Sequence, residues 1–264
     1  MGTSAALTPK SARVVAAVKL QRHTGRIRVG RFLAEGPNLV EAAAARGVVD
    51  EVFATAAAAE RHQGLLRDLA VTLVTEPAAK ALSDTVTPSG LIAVCRIPDP
   101  RLDTVLAEKP ALIAVAVDLS EPGNAGTLIR IAHAMGAAAV VFAGQSVDPY
   151  NGKCLRSSAG SIFALPVITE PDTAGLLAQL RSAGLQIAAT TLDGNVSLDD
   201  AGMLAAPTAW VFGPESQGLP ESVTALADHR VLIPMSAGAE SLNVAAAAAI
   251  CLYESARAQR QSRG

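Results

Sequence analysis

The sequence predicts an α/β protein whose C-terminal part is built on a parallel sheet, and three observations support this fold class. First, the apolar runs beyond residue 110 are continuous, as strands covered on both faces require. Second, segments with helical spacing separate many of these runs, and strands alternating with helices are typical of parallel sheets with right-handed crossovers. Third, half of the 264 residues are apolar and only 17% are charged, which indicates a compact chain and excludes a disordered one.

The first hundred residues predict a smaller α/β region with short elements. Apolar runs predict strands at residues 48–55, 71–75 and 91–97, and helical spacing predicts helices at 11–21, 36–46, 56–69 and 76–83. Pro98, Pro100 and Pro110 then bracket an acidic stretch, which is where we expect the chain to pass between domains. We therefore expect an N-terminal domain of residues 1–105 and a C-terminal domain of residues 106–264.

The C-terminal domain is predicted to contain five strands and five helices. The strands are residues 112–117, 139–143, 185–190, 209–212 and 231–233, and the helices are residues 127–135, 155–161, 173–182, 222–228 and 242–259. The densest apolar run, residues 244–252, is far shorter than the roughly 20 residues of a membrane span, so we expect no membrane segment. Three cysteines lie far apart and outside any C-x-x-C pattern, which favours a reducing cytoplasm without disulfides or a zinc site.

The charge of the chain is distributed unevenly. Residues 1–34 contain seven basic side chains and no acidic one, whereas the chain as a whole has a net charge of −2. A basic block on an acidic body is typical of proteins that contact a polyanion such as nucleic acid. On charge alone, a solvated chain terminus is an equally good interpretation.

Glycine-containing loops with polar side chains follow three of the predicted strands. They are residues 118–130, 212–219 and 233–244. Each loop alone is more simply explained as a turn, a surface carboxylate or a helix cap. Because ligands of open parallel sheets bind beyond the carboxyl ends of the strands, the three loops together predict one pocket. The loops contain neither a G-x-G-x-x-G nucleotide fingerprint nor a phosphate-binding P-loop.

These loops resemble the signature motifs of the SpoU (TrmH-type) RNA methyltransferases, which belong to the SPOUT class. The motifs are residues 124–130, 212–219 and 233–254, and residues 148–166 also match the family. Residues 28–42 look like the start of the family's accessory domain, a small α/β RNA-binding module of ribosomal-protein type. The resemblance covers essentially the whole chain, and its layout is closest to the 23S rRNA methylases of the thiostrepton-resistance type.

The resemblance implies a fold and a set of partners that no sequence pattern would reveal by itself. The C-terminal domain would be a parallel-sheet SPOUT domain with a deep trefoil knot, beside the N-terminal RNA-binding domain. The protein would be a cytoplasmic homodimer that binds RNA, with 23S rRNA as the expected substrate, and it would not contact a membrane.

The resemblance also implies a reaction, the transfer of a methyl group from S-adenosylmethionine to a ribose 2′-hydroxyl of RNA without a metal. The donor would be held by the backbone around Leu192, Gly194, Phe212, Gly213, Ile233 and Leu242, and the catalytic residues would be Asn124, Arg130, Glu215, Ser241 and Asn243. Because a guanidinium stays charged, Arg130 is expected to bind phosphate and stabilise alkoxide charge rather than act as a base. Glu215 would accept the proton or orient Arg130 or Asn124.

Basic side chains in two parts of the sequence are candidates for RNA contacts. They are Arg22, Arg26, Arg28 and Arg31 in the N-terminal block, and Lys153 and Arg156 in a polar loop before a predicted helix. Solvated surface charge is the alternative for each.

Two further functions stay open from the sequence. One is a tRNA ribose 2′-O-methyltransferase, although the accessory domain favours rRNA. The other is a non-catalytic RNA-binding protein that keeps the fold. The sequence specifies neither the modified nucleotide, nor whether the substrate is free RNA or an assembling ribosomal particle, nor whether antibiotic resistance results.

Overall fold

The computed structural model describes residues 5–200, 202–214 and 217–262. In this part of the chain the strands are β1 (Arg31–Glu35), β2 (Val49–Ala54), β3 (Val71–Leu73), β4 (Leu91–Arg96), β5 (Leu112–Val117), β6 (Ala139–Ala143), β7 (Val167–Glu170), β8 (Gln186–Thr190), β9 (Val196–Ser197), β10 (Thr208–Phe212) and β11 (His229–Leu232). The α-helices are α1 (Ala12–Val18), α2 (His23–Val29), α3 (Pro37–Ala45), α4 (Ala56–Arg61), α5 (Gln63–Leu66), α6 (Glu76–Leu82), α7 (Leu102–Ala107), α8 (Pro122–Ala134), α9 (Gly152–Ser158), α10 (Thr173–Ser182), α11 (Glu221–Thr224) and α12 (Val244–Gln261).

The chain forms two compact units. The first unit combines Met1–Pro98 with Asp148–Phe163, and the second combines Asp99–Val147 with Ala164–Gly264. The first unit therefore includes α9, which is distant in sequence from its other elements. The domain limits expected from the sequence, residues 1–105 and 106–264, stay a prediction.

The first unit contains a mixed four-stranded sheet in the order β1-β4-β2-β3. Strand β4 pairs antiparallel with β1 and β2, and β2 pairs parallel with β3. The sequence pattern does not predict β1, a short strand whose charged end residues hide the alternation of buried Phe32 and Ala34. It does not predict α2 either, because Gly25 lies in the middle of that helix. A Cβ at Gly25 would lie 2.0 Å from the carbonyl oxygen of Lys19, so the close approach of these two segments requires glycine.

The second unit contains a seven-stranded sheet in the order β7-β6-β5-β10-β8-β11-β9, in which every neighbouring pair is parallel. The predicted parallel α/β fold is thus confirmed, and all five predicted strands are present. The short strands β7 and β9 at the two edges were not predicted. Edge strands bury less apolar surface, so their sequence signal is weaker. The trefoil knot stays an expectation.

Helices cover both faces of this sheet. On one face, Leu176, Leu177 and Leu180 of α10 pack on alternate residues of the central strands. On the other face, α12 packs on β10 and β5, and Trp210 donates a hydrogen bond from Nε1 to Oγ of Ser255 at 2.8 Å. Because both faces are covered, the strands must be apolar along their whole length.

No helix in the described residues is long and apolar enough to span a bilayer. All three cysteines are buried and unpaired. Burial raises the pKa of Cys95 and of Cys154 to about 12, with a smaller contribution from a nearby aspartate in each case. These thiols therefore stay protonated and act as small apolar core residues.

Candidate active site

Helix α8 begins directly after a tight turn at the carboxyl end of β5. Asp118 adopts a left-handed conformation with φ 52°, and its Oδ1 accepts a hydrogen bond from the Gln145 amide at 2.7 Å. Glu121 caps the helix by accepting from the Gly123 amide at 3.0 Å, and Pro122 occupies the first turn. The predicted start of this helix at residue 127 is therefore wrong, because the helix begins at Pro122. Proline is favoured in a first turn, and the helix includes both Gly123 and Gly126. As a result Asn124 lies in the first turn of α8 rather than in a loop.

The start of α12 lies against the start of α8. Asn243 is the N-cap of α12, and its Oδ1 accepts hydrogen bonds from the amides of Ala245 at 3.0 Å and Ala246 at 3.3 Å. Its Nδ2 donates to Oδ1 of Asn124 at 3.1 Å. Two of the predicted catalytic residues, 119 positions apart in the sequence, are thus in direct contact.

A pocket of about 650 Å³ opens at the carboxyl ends of β8, β10 and β11 and is bordered by the start of α12. Of the predicted site residues, Leu192, Gly213, Ile233, Ser241 and Leu242 line it. Its lining also includes residues that the sequence analysis did not identify, among them Thr190, Asp193, Gln217, Leu219, Arg230 and Met235. The polar pair Thr190-Thr191 at the end of a predicted strand is a signal that could have identified these two threonines as lining residues.

Gly213 and Gly194 allow the loops around the pocket to approach each other closely. A Cβ at Gly213 would lie 2.6 Å from the Leu219 amide nitrogen, and a Cβ at Gly194 would lie 2.6 Å from that of Leu232. Gly194 is not among the pocket-lining residues, and Phe212 is fully buried below the pocket, where it stacks on Trp210. Their chain neighbours Asp193 and Gly213 do line the pocket, and the expectation that the backbone around Gly194 and Phe212 holds the donor stays a prediction.

An ion pair lies in the wall of the pocket. The Arg230 guanidinium hydrogen-bonds the Asp193 carboxylate, which lowers the pKa of Asp193 below its usual value and raises that of Arg230. Glu221 adds a second carboxylate, so the pocket has both signs of charge beside apolar side chains such as Leu219, Ile233 and Leu242. Such a lining suits a ligand with an apolar ring system and a zwitterionic end.

The other predicted catalytic residues are Arg130, Ser241 and Glu215. Arg130 is exposed and, within residues 5–200, 202–214 and 217–262, has no ion-pair partner. It follows Asn124 by six positions, which corresponds to about 9 Å along α8 and about 120° around it. Ser241 is exposed in the loop before α12. Glu215 lies outside the described residues.

In the first unit, five of the predicted RNA contacts are exposed, namely Arg22, Arg28, Arg31, Lys153 and Arg156. Arg31 is ion-paired with Asp50 at 2.5 Å, and Arg156 is ion-paired with Asp84. A phosphate would have to displace these two carboxylates or share the arginines with them.

The expectation for Arg26 requires a correction. Its side chain is buried, pairs with Asp148 at 2.6 Å and donates to the carbonyl oxygens of Leu20 and Gln21. Burial tends to raise the pKa of Asp148, but hydrogen bonds from His23, the Tyr150 amide and Arg26, with the charge of Arg26, hold it below its usual value. Arg26 therefore joins α9 to the rest of its unit, and no surface is left on it for RNA.

The described residues contain no group of three or more histidine, cysteine or carboxylate side chains arranged to hold a metal ion.

Comparison with known proteins places both units among described families. Residues 111–253 match the SpoU rRNA Methylase family, and residues 12–93 match the MRM3-like substrate binding domain. The chain is 34% identical to the Bacillus subtilis 23S rRNA (guanosine(2553)-2′-O)-methyltransferase RlmP over 89% of its own length and 92% of that protein.

Solved structures agree with this result. The SpoU methyltransferase AviRb from Streptomyces viridochromogenes, in complex with the cofactor AdoMet, has a TM-score of 0.85 and 30% identity, covering 96% of this chain and 99% of that one. An RNA 2′-O ribose methyltransferase has a TM-score of 0.81 and 33% identity, covering 97% of this chain and all of the other.

Proposed function

The chain belongs to the SpoU rRNA methylase family, and we propose that it transfers a methyl group from S-adenosylmethionine to a ribose 2′-hydroxyl of 23S rRNA. It is an S-adenosylmethionine-dependent RNA 2′-O-methyltransferase. The observation that carries the proposal is the arrangement of the second unit. A large pocket at three strand ends borders the start of α12, and the N-cap of that helix, Asn243, contacts Asn124 of α8. The relative from Bacillus subtilis acts on 23S rRNA, and its match extends over both units.

The pocket fits the methyl donor. Its volume of about 650 Å³ lies within the range of about 300–1,000 Å³ that is usual for small-molecule sites. Leu219, Ile233 and Leu242 supply apolar surface for a purine, while Asp193 and Arg230 offer both charges to an amino-acid end. S-adenosylmethionine supplies a methyl group already activated on a sulfonium, so the reaction calls for positioning more than for a metal.

The residues of the chain would position the ribose and its charge. Asn124 and Asn243 fix each other's amide groups, and these residues together with the Ser241 hydroxyl would orient the 2′-hydroxyl in line with the methyl group. Arg130, as a charged guanidinium, would bind the neighbouring phosphate and stabilise negative charge developing on the ribose oxygen. Glu215 would take the hydroxyl proton or orient Arg130 or Asn124.

We also propose that the enzyme is a homodimer. Arg130 lies about 120° around α8 from Asn124, so the two side chains leave the helix in different directions. In a homodimer, Arg130 of a second copy would complete the site at Asn124. Ile250 and Tyr253, three residues apart on α12, are 37% and 47% exposed and offer an apolar contact surface for that copy.

The first unit supports rRNA as the substrate. Residues 12–93 match a substrate-binding domain, and Arg22 and Arg28 are exposed on or next to α2 of the same unit. A tRNA substrate is the alternative to be tested. We place the enzyme in the cytoplasm, which the buried thiols support because they behave as core residues rather than as a disulfide framework.

The direct test is methyl transfer by the purified chain. We expect label from methyl-labelled S-adenosylmethionine in deproteinised 23S rRNA, at one nucleotide and on its ribose, and none in bulk tRNA. The variant Arg130→Ala should still bind the donor in calorimetry, because Arg130 does not line the pocket. It should transfer no label, because it lacks the guanidinium that would bind the phosphate and stabilise charge on the ribose oxygen. Label in tRNA alone would contradict the rRNA assignment. A chain that neither binds the donor nor labels RNA or ribosomal particles would contradict the enzymatic function.

A further inference from the structure

The pocket of the second unit is lined by charged side chains whose charges do not balance. Of the described residues that line it, Asp193 and Glu221 are carboxylates and Arg230 is a guanidinium. A hydrogen bond to Asp193 and the charge of Asp193 raise the pKa of Arg230, and the charge of Glu221 adds a smaller contribution. The same hydrogen bond lowers the pKa of Asp193, so this carboxylate is ionised at neutral pH. The three side chains therefore give the pocket one net negative charge.

The backbone holds these charges in a fixed arrangement. The Thr191 amide donates a hydrogen bond to the Val231 carbonyl oxygen at 3.0 Å. This bond joins the loop that carries Asp193 to β11, the strand that carries Arg230. Glu221 is the first residue of α11. Because the charges are carried by backbone that is already ordered, they can act on a ligand without a cost of reorganisation.

The methyl donor and the product of the transfer differ by one charge. S-adenosylmethionine carries a carboxylate, an ammonium and a sulfonium, and therefore has one net positive charge. The reaction breaks the bond between sulfur and the methyl carbon, and the electron pair of that bond stays on sulfur. The new bond forms to the ribose oxygen, which loses its proton. The product, S-adenosylhomocysteine, keeps the carboxylate and the ammonium and has no net charge.

We propose that the net negative charge of Asp193, Glu221 and Arg230 makes the pocket prefer S-adenosylmethionine to S-adenosylhomocysteine, so that accumulated product competes weakly with the donor. The proposal rests on the proposed function and adds a control of the same site. Both ligands have the same adenosine and the same amino-acid end, so contacts to these parts cancel when the two affinities are compared. The sulfonium remains, and a cleft with walls of low dielectric focuses the field of its charged lining on it.

The test measures the dissociation constants of both ligands by calorimetry. The wild type should bind S-adenosylmethionine more tightly than S-adenosylhomocysteine. Glu221→Gln should reduce the ratio of the two constants about twofold to fivefold, the effect expected of one charge that is exposed to solvent. Glu108→Gln is the matched control, because Glu108 is exposed in the same unit but does not line the pocket. Its ratio should equal that of the wild type.

Substitution of the guanidinium should change the ratio in the opposite direction. Arg230→Gln removes the positive charge and keeps both carboxylates, so the preference for S-adenosylmethionine should increase. A loss of shape in the pocket would weaken both ligands and leave their ratio unchanged. Asp193→Asn removes one negative charge and should reduce the ratio, as Glu221→Gln does. A ratio that moves in the same direction in Glu221→Gln and in Arg230→Gln would overturn the proposal.

Two further measurements separate the charge from contacts of the methyl group. Sinefungin carries an ammonium in place of the methylsulfonium, so it has the net charge of the donor without its methyl group. It should bind more tightly than S-adenosylhomocysteine, and Glu221→Gln should reduce this preference too. Salt should also reduce the preference, because the Debye length falls from about 10 Å at 0.1 M to about 3 Å at 1 M. Sinefungin that binds no better than S-adenosylhomocysteine would contradict a role of charge.

The outcomes distinguish this proposal from the proposed function. Methyl transfer to RNA tests the function, whereas the ratio of the two dissociation constants tests the role of the charges. If the wild type methylates rRNA and binds both ligands equally, or if Glu221→Gln keeps the wild-type ratio, this proposal is overturned and the function stands. If the ratios change as expected but the wild type labels no RNA, the role of the charges stands and the proposed function fails.

Discussion

The Asn243 side chain donates a hydrogen bond to the Asn124 side chain at 3.1 Å, and this contact joins the first turns of two helices. The same Asn243 caps its own helix through Oδ1. One amide group therefore connects the stability of α12 with the geometry of the site, and suitable substitutions can separate the two roles.

Asn243→Asp should separate them most clearly. An aspartate caps a helix as well as an asparagine does, but it has no N–H to donate to Asn124. We expect the free energy of unfolding to be retained and the rate of methyl transfer to fall at least tenfold. Asn243→Ala should lose both the helix cap and the contact with Asn124, so the free energy of unfolding should fall by about 1 kcal/mol and the rate of methyl transfer should fall as well. Urea unfolding and single-turnover transfer measure the two effects, and equal activity of Asn243→Asp and wild type would contradict the role of the contact.

Gly213→Ala should weaken donor binding. The new Cβ would lie 2.6 Å from the Leu219 nitrogen and 2.7 Å from the Gly218 carbonyl carbon, and both residues line the pocket, so this loop would have to move. We expect at least tenfold weaker binding of S-adenosylmethionine in calorimetry. Gly202→Ala is the control, because its Cβ would meet nothing within 4 Å. Wild-type donor affinity in Gly213→Ala would show that the loop adapts without affecting the pocket.

Arg130→Lys should lower kcat at least tenfold and leave donor affinity unchanged. Lysine keeps the positive charge but loses the planar, bidentate geometry with which arginine binds a phosphate. Arg181→Lys, at an exposed ion pair with Asp228, is the control and should have wild-type activity. Rapid-quench measurements with saturating donor give kcat directly. Retention of most of the rate by Arg130→Lys would exclude a bidentate role.

Asp148→Asn should destabilise the protein in a pH-dependent way. The variant leaves the buried Arg26 without its counter-charge, and we expect a loss of about 3 kcal/mol at pH 7. Because the folded-state pKa of Asp148 is lowered, its stabilisation is fully present above the unfolded value of about 3.9 and is lost as pH falls through the folded value. The difference between variant and wild type should therefore shrink below about pH 4.

Urea unfolding at pH 7 and at pH values below 4 measures this dependence. Asp103→Asn is the control, because Asp103 pairs with Arg101 in full exposure to solvent and should show no measurable effect. A gap between Asp148→Asn and wild type that widens on acidification would contradict the assigned direction of the pKa shift.

Local patterns predicted much of the fold. The five central strands of the second unit were found because strands buried on both faces are uninterrupted apolar runs. The start of α8 was placed too late because glycines were read as loop residues, although Pro122 in the first turn and the Glu121 cap begin the helix earlier. Elements with little apolar surface, such as β1, α2 and the edge strands β7 and β9, gave too weak a periodicity to be found.

The candidate site was predicted in part for a similar reason. Strand-end loops with glycines pointed to one pocket, and the pocket is at that edge of the sheet. The sequence pattern does not predict the contributions of Asp193 and Arg230, because an ion pair between a loop residue and a residue of β11 leaves no pattern in either segment. Gly194 and Phe212 do not line the pocket, although their neighbours Asp193 and Gly213 do, and the role of the backbone around them in donor binding stays a prediction.

The sequence by itself determined the fold class, the parallel sheet and the family, because these depend on periodicity and on motifs read within a few residues of one another. Only the tertiary structure decided which side chains meet. It paired Asn124 with Asn243 across 119 positions, and it buried Arg26 against Asp148 when the sequence had placed that arginine with the RNA contacts. The physical reason is that burial and hydrogen bonding depend on which surfaces pack together, and the packing of distant segments is not contained in the local pattern of either segment.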